Sequence, residues 1–365
     1  MKVLHVGKYY PPHPGGMETH IKALCAELKS SVDVEIIVAN DSGNTVEELI
    51  DGIKVTRLGK AFDLAAAPVC PRMVRKIRET KAEIVHIHYP NPTAILSYLA
   101  SGHKGRLIIG YHSDIVRQKF LGKAFWPFLK RALDRASAII VATPNHIASS
   151  PILRPYGKLC RVVPYGISLE AFKRTDHAEV EDIRKNFGPR IVLAVGRLVY
   201  YKGFEYLIRA MRHVRGRLLI VGNGPLRRTL AEEASAHDIT DRVFFLSEVK
   251  EVSPFYHAAD VFVLSSVARS EAFGIVQLEA MACGKPVVNT NLDSGVPFVS
   301  LHGVSGLTVP PADPLALGRA INNLLNDPAR SHELGMAGRK RVEEEFSLAT
   351  MTNRTLEVYR EVVGS

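Results

Sequence analysis

The sequence predicts an α/β protein of two Rossmann-like, doubly wound domains facing a central cleft. Three observations carry this. The 365 residues suit two domains of ordinary size. Lys2–Gly7 (KVLHVG) reads as an apolar strand followed by a glycine-containing loop and a periodic helix, the opening of a doubly wound domain. The same pattern begins again at Ile191–Val195. The expected division is 1–164 for the first domain, 165–348 for the second and 349–365 for a tail.

The composition is globular, with 46% apolar and 23% charged residues. No apolar run approaches the ~18–20 residues that span a bilayer. Met1–Val6 enters a strand directly, without a signal-peptide layout. Cys25, Cys70, Cys160 and Cys283 are far apart, and no C-x-x-C suggests zinc or a disulfide framework. They read as buried thiols in a reducing cytosol. Residues 1–161 hold 23 Lys and Arg against 13 Asp and Glu, whereas residues 162–365 hold 24 against 24. The net charge of +10 therefore lies entirely in the first half. It implies an anionic partner there: a membrane surface, a lipid phosphate or nucleic acid.

In order, Lys8–Gly16 (KYYPPHPGG) is a loop set by its prolines and glycines. Met17–Lys29 has helical period, with Ile21, Leu24, Cys25 and Leu28 on one face. Gly15 and Gly16 permit a phosphate to approach the backbone before this helix, although most such pairs merely turn the chain. Neither G-x-G-x-x-G nor a P-loop occurs. Val34–Ala39 and Ile53–Leu58 are strands separated by an irregular polar stretch, and Pro71–Thr80 is a short basic helix. The strand Ile84–His88 puts His86 and His88 on one face. Two histidines could begin a metal site, but the sequence places no third ligand with them, so they read as structural and no metal is expected. Arg106–Gly110 ends in Tyr111-His112-Ser113-Asp114, at the end of a strand where open α/β sheets meet ligands. His112 is therefore a site candidate, beside the reading of a hydrogen-bonded surface histidine. Asp114 binds an acceptor hydroxyl or caps the next segment.

Ile115–Ala136 interleaves six cations, among them Lys119, Lys123, Lys130 and Arg131, with Phe120, Phe125, Trp126 and Phe128. This suits either an interfacial element on anionic lipid or a helix packing its aromatics inward. Pro127 is expected to split it. Ser137–Ala142 is a strand, Asn145–Ser149 a short helix and Arg161–Val163 the closing strand before the Pro164-Tyr165-Gly166 hinge.

In the second half, Ile191–Val195 leads into Gly196-Arg197 and on to Lys202-Gly203 before a helix from about Phe204. Arg197 and Lys202 leave the carboxyl end of a strand and offer a planar fork and a mobile point charge to phosphate oxygens. Leu218–Val221 ends in Gly222-Asn223-Gly224-Pro225, where glycines permit close approach. Val243–Leu246 exits through Ser247–Lys250. Then come the strand Val261–Leu264 and the stretch Arg269–Val287, RSEAFGIVQLEAMACGKPV. Glu271 falls in a turn, a helix is expected from about Gly274 to Ala282, and Glu279 lies on its second turn. The amides of Phe273, Gly274 and Ile275 then sit at the positive end of a helix. Acid, amides, acid suits a sugar nucleotide, whose hydroxyls need acceptors and whose diphosphate needs donors. The alternative is a buried amphipathic helix with one polar turn. Strands at Val287–Asn289 and Gly306–Val309, helices at Asp313–Leu325 and Pro328–Phe346, and an amphipathic tail at Thr352–Val363 complete the chain.

E-(x)7-E with this interior resembles the signature of retaining GT-B glycosyltransferases of family 4, and the similarity covers nearly the whole chain. The resemblance implies a GT-B fold in which 1–164 binds acceptor, 165–348 binds nucleotide sugar and 349–365 crosses back to the first domain. It implies Arg197 and Lys202 on the donor diphosphate, the backbone near Val249 on the base, and the Gly15-Gly16 loop beside phosphate and acceptor. His112 would touch the transferred sugar, Glu271 its hydroxyls and Glu279 the ribose. No D-x-D occurs, so departure of the diphosphate is expected to need neither metal nor other cofactor. The mechanism implied is front-face attack with retention, the leaving phosphate accepting the acceptor's proton.

YHSDIVRQK, VYYKG and RSEAFGI are similar to bacterial mannosyltransferases that use GDP-mannose to build O-antigen and exopolysaccharide on a lipid carrier. That implies a lipid-linked saccharide acceptor, an anionic membrane surface under the basic half, a cytoplasmic location at the inner face of the cytoplasmic membrane, and no nucleic acid. Arg269-Ser270 departs from the commoner proline-containing turn and leaves a UDP-sugar donor open. A sugar-nucleotide epimerase and an anion- or nucleic-acid-binding protein are the other readings.

Overall fold

The structure is a computed structural model that describes residues 1–13, 15–64, 67–113, 119–173, 176–247 and 249–364, with backbone alone at 119–123. Asp114 and the start of the basic–aromatic stretch lie outside the described residues. The chain forms two compact units, Met1–Tyr165 with Leu348–Ser365, and Gly166–Ser347.

The first unit holds β1 (Lys2–Val6), β2 (Asp33–Ala39), β3 (Val46–Ile50) and β4 (Ile53–Leu58), then a hairpin of β5 (Phe62–Leu64) and β6 (Ala67–Val69). β7 (Ile84–Tyr89), β8 (Arg106–Tyr111), β9 (Ala136–Val141) and β10 (Cys160–Val162) follow. The sheet order is β10-β9-β8-β7-β1-β2-β4-β3. Its pairs are parallel except β3 on β4. The winding reverses between β1 and β7. Helix Gly16–Leu28 buries Ile21, Leu24, Cys25 and Leu28, and helix Leu348–Gly364 packs against it, adding Met351, Leu356 and Tyr359 to the same apolar cluster.

The second unit holds β11 (Ile191–Val195), β12 (Arg217–Val221), β13 (Val243–Leu246), β14 (Val261–Leu264), β15 (Val287–Thr290) and β16 (Gly306–Val309). Its order is β13-β12-β11-β14-β15-β16, with every pair parallel. The strands are almost wholly apolar, as expected where helices cover both faces. Local chemistry starts the helices: Asn91, Asp313 and Asp327 accept from the amides of Ala94, Ala316 and Arg330, each with proline next in sequence.

Two local expectations are corrected. The polar stretch before β4 contains β3, an exposed edge strand (VEELI) held by the ion pair of Glu48 with Arg57. Pro127 does not split its segment: one helix runs Lys119–Arg135 with the proline inside. Leu129, Ala132 and Leu133 anchor it in the core, and Pro127 lies on the exposed face, where solvent meets a lost backbone bond.

Candidate active site

In the second unit β11 is flanked by β12 on one side and β14 on the other, so the loops leaving β11 and β14 diverge and open a crevice at their carboxyl ends. Those loops carry Lys202 and Glu271. Lys202 Nζ lies 2.6 Å from Glu271 Oε2, with the side chains only 11% and 10% exposed. Ser266 Oγ donates to the same oxygen at 3.0 Å. Ser265 Oγ donates to the Lys202 carbonyl at 2.9 Å, and the Val267 amide to the Tyr201 carbonyl at 2.8 Å, which laces the two loops together. Arg197 is exposed at the mouth of the first loop. Gly222 is required by close approach: a Cβ there would stand 2.2 Å from the Gly196 carbonyl oxygen. Val249 is partly exposed in the loop after β13.

The helix after Glu271 begins at Val276, later than the sequence suggests, and this places Glu279 in its first turn. The cause is Gly274, at φ +75°, where an added Cβ would also lie 2.6 Å from Leu264 Cδ2. The residues Phe273–Ile275 thus form a tight turn at the mouth of a short helix. Gln277, which sequence reasoning passed over, fixes that turn. Fully buried, it donates to the Phe273 carbonyl at 3.2 Å and accepts from Asn289 at 2.9 Å. The signal was an amide in a helix whose other residues, Glu279 apart, are apolar. The Phe273 ring packs edge-on to Phe346. Tyr256 donates to Glu279 Oε2 at 2.6 Å. Burial pushes the Glu279 carboxyl up, while the Tyr256 hydrogen bond and the Lys202 charge oppose the shift.

In the first unit Gly16 opens its helix with open space around it, but Gly15 does not. The buried Glu18 folds back so that its Oε2 would lie 2.0 Å from a Cβ at residue 15. A carboxylate of the protein itself thus meets the positive end of this helix.

The third ligand that the sequence did not place beside His86 and His88 is present. His5, His86 and His88, and likewise His20, His88 and His112, each bring a ring nitrogen within 4.8 Å of the others. His5 lies beside His86 in the β1–β7 register, and Gly110 lies opposite His88 on β8. A Cβ at Gly110 would stand 2.8 Å from His86 Nε2, so this glycine makes room for the imidazoles. The period-two alignment of these residues was readable; the arrival of His20, Tyr165 and Tyr359 from distant elements was not. His112 Nδ1 is 2.6 Å from Tyr165 Oη and its Nε2 is 3.0 Å from His88 Nδ1. Burial lowers His5 to about 3 and His20 to about 4, and holds His86, His88 and His112 well below the usual imidazole range.

Two doubly wound units, the second built on an all-parallel sheet, make up a GT-B fold. Residues 14–171 match Glycosyltransferase Family 4 and residues 176–341 match Glycosyl transferases group 1. The chain is 32% identical to the D-rhamnosyltransferase WbpZ of Pseudomonas aeruginosa, over 95% of this chain and 92% of that one. It is 31% identical to the O-antigen chain mannosyltransferase C of Escherichia coli, over 100% of both. The fold superposes on sucrose-phosphate synthase from Thermosynechococcus elongatus with a TM-score of 0.79, at 24% identity and covering 100% and 99% of the two chains. The chain belongs to glycosyltransferase family 4 and is a glycosyltransferase.

Proposed function

We propose that the enzyme transfers mannose from GDP-mannose to a lipid-linked saccharide, with retention and without metal, in the synthesis of a bacterial surface polysaccharide. The observation that carries this reading is the buried Lys202–Glu271 pair at the crevice between β11 and β14. The donor diphosphate lies against Lys202, Arg197 and the turn Phe273–Ile275, with Gly222 allowing the neighbouring loop to close in. Preorganised donors of this kind meet the charge that develops on the leaving group. Glu271 binds hydroxyls of the departing hexose and stabilises positive charge on it. Glu279, oriented by Tyr256, accepts from the ribose. Val249 supplies backbone contact to the base, and His112 touches the transferred sugar. Gly16 lies beside phosphate and acceptor; Gly15, overlaid by the Glu18 carboxylate, acts through that acid.

The acceptor's lipid points to a membrane face on the basic first unit. No helix among the described residues is long and apolar enough to cross a membrane. Trp126 and Phe128 are 37% and 47% exposed, beside exposed Lys130 and Arg131, whereas Phe125 packs on the core. Helix Pro92–Ser101 packs against both this helix and strand β6, and the adjoining β5 presents Phe62 and Leu64 at 56% and 60% exposure. Apolar side chains among cations suit attachment to the inner, anionic leaflet.

A panel of nucleotide sugars tests the donor, read by thermal shift and by transfer to lipid-linked saccharides in EDTA. GDP-mannose is expected to stabilise the protein most and to support transfer. Stabilisation by a UDP-sugar alone, or loss of transfer in EDTA, contradicts the reading.

A further inference from the structure

The histidines of the first unit are joined end to end. Tyr165 Oη meets His112 Nδ1 at 2.6 Å, and His112 Nε2 meets His88 Nδ1 at 3.0 Å. His88 Nε2 meets His5 Nδ1 at 3.0 Å, and His5 Nε2 meets Tyr359 Oη at 3.2 Å. Tyr359 Oη meets His86 Nδ1 at 2.7 Å. Seven of the eight ring nitrogens on His5, His86, His88 and His112 are thereby engaged, leaving His86 Nε2 without a partner among the described residues.

Each neutral imidazole has one donor and one acceptor nitrogen, so a single hydrogen placed anywhere in the relay places all the others. The distances choose between the two directions. Hydroxyl donors make shorter bonds than N–H donors. Tyr359 lies 2.7 Å from His86 but 3.2 Å from His5, distances that fit a hydroxyl donating to His86 and accepting from His5. The 2.6 Å contact of Tyr165 fits a hydroxyl donating to His112. Both ends fit one direction, and His86 lines a cavity of about 10 Å³ with Gly110, His112 and Tyr165, near the lower limit for one water.

We infer that His5, His88 and Tyr359 are positioning residues that hold His112 as a neutral Nε2–H tautomer with both ring nitrogens occupied. His112 then takes no proton from the acceptor; its ring is a fixed surface, and the tail helix that carries Tyr359 sets its orientation. Burial, which disfavours the imidazolium at each position, agrees. The arrangement also disfavours a cation among these nitrogens, since binding one would break bonds already made. The catalytic consequence rests on the reading that His112 touches the transferred sugar; the tautomers do not.

The test is long-range 15N–1H correlation on the full-length protein labelled with 15N-histidine, resonances being assigned by single substitutions. Expected are protonated Nε2 and bare Nδ1 at His5, His86, His88 and His112. Protonated Nδ1 at His88 or His112, an imidazolium at pH 7.5, or stoichiometric zinc uptake that shifts these resonances overturns the relay. Tyr359→Phe should leave His86 a mixture of tautomers and lower kcat roughly two- to tenfold, the worth of one net hydrogen bond, with the donor KM unchanged. His88→Asn, which keeps an acceptor for His112, should retain more activity than His88→Leu. Equal kcat in both His88 variants and the wild type overturns the positioning role. Failure of the functional reading would instead show as unchanged GDP affinity in Lys202→Met.

Discussion

Two sheet ends do different work in this molecule. The first unit has all the net positive charge, yet its β1–β7 switch point is lined with neutral imidazoles joined by hydrogen bonds. The second unit is balanced in charge, yet its β11–β14 switch point holds a cation and an anion 2.6 Å apart. Net charge therefore reports on the outer surface of a unit and says little about its crevice. The basic surface suits a membrane; the balanced unit can spend its charges on one ligand. On the proposed function, the neutral histidines would keep their geometry when a charged substrate arrives, whereas Lys202 and Glu271 would exchange each other for it.

That contrast can be broken most severely at Glu271. Glu271→Gln should lower transfer by about 10²–10⁴-fold, the scale of a positioned acid or electrostatic donor, measured in a radiolabelled mannose assay. Activity within about threefold of wild type removes Glu271 from the reaction. Lys202→Met should weaken GDP binding by roughly ten- to a hundredfold, the worth of a hydrogen bond to a charged group, measured by calorimetry. It should also destabilise the fold by about 3–5 kcal/mol, because the buried Glu271 carboxylate loses its cation and keeps only the Ser266 hydroxyl. The double variant Lys202→Met/Glu271→Gln should be more stable than Lys202→Met alone in urea; additive losses would deny the coupling.

The imidazoles of the first unit should reveal themselves on acidification. In the unfolded chain they take up protons below about 6.5. Folded, His20 does so only at about 4 and His5 at about 3, because burial opposes the charge. The unfolded state therefore binds more protons in this window, and stability falls as pH drops from about 6.5 towards 4. Urea midpoints at half-unit steps should show this fall; a flat profile would mean that the imidazoles are already charged in the folded state. Charge reversal at Lys130 and Arg131 should make the smallest change, weakening attachment to anionic liposomes by about 1 kcal/mol per cation. Sedimentation that does not change leaves Trp126 and Phe128 without a membrane role.

Much of this was legible from residue order. Apolar strands at Lys2–Gly7 and Ile191–Val195, each followed by a glycine-bearing loop, announced the two doubly wound sheets, because buried parallel strands read as unbroken apolar runs. Lys202 and Glu271 were legible as separate candidates, since both follow strands; their direct pairing was not, because it depends on β11 and β14 becoming neighbours although 65 residues separate the end of one from the start of the other. Gly274 was read as part of a helix because its left-handed backbone leaves no mark on periodicity. β3 was missed because an edge strand such as VEELI needs no apolar face. His5 and Tyr359 were beyond reach: period two aligns His86 with His88, but the pairing of β1 with β7 brings His5 beside them and only the packing of the final helix on Gly16–Leu28 delivers the tyrosine.

The proposed transfer needs a nucleoside diphosphate at the β11–β14 crevice without an ion. A crystal structure with GDP, grown in EDTA, tests this most directly. The diphosphate is predicted within hydrogen-bonding distance of Lys202 Nζ and the amides of residues 273–275. Density for it at any other place, or none until a divalent metal is added, contradicts the account.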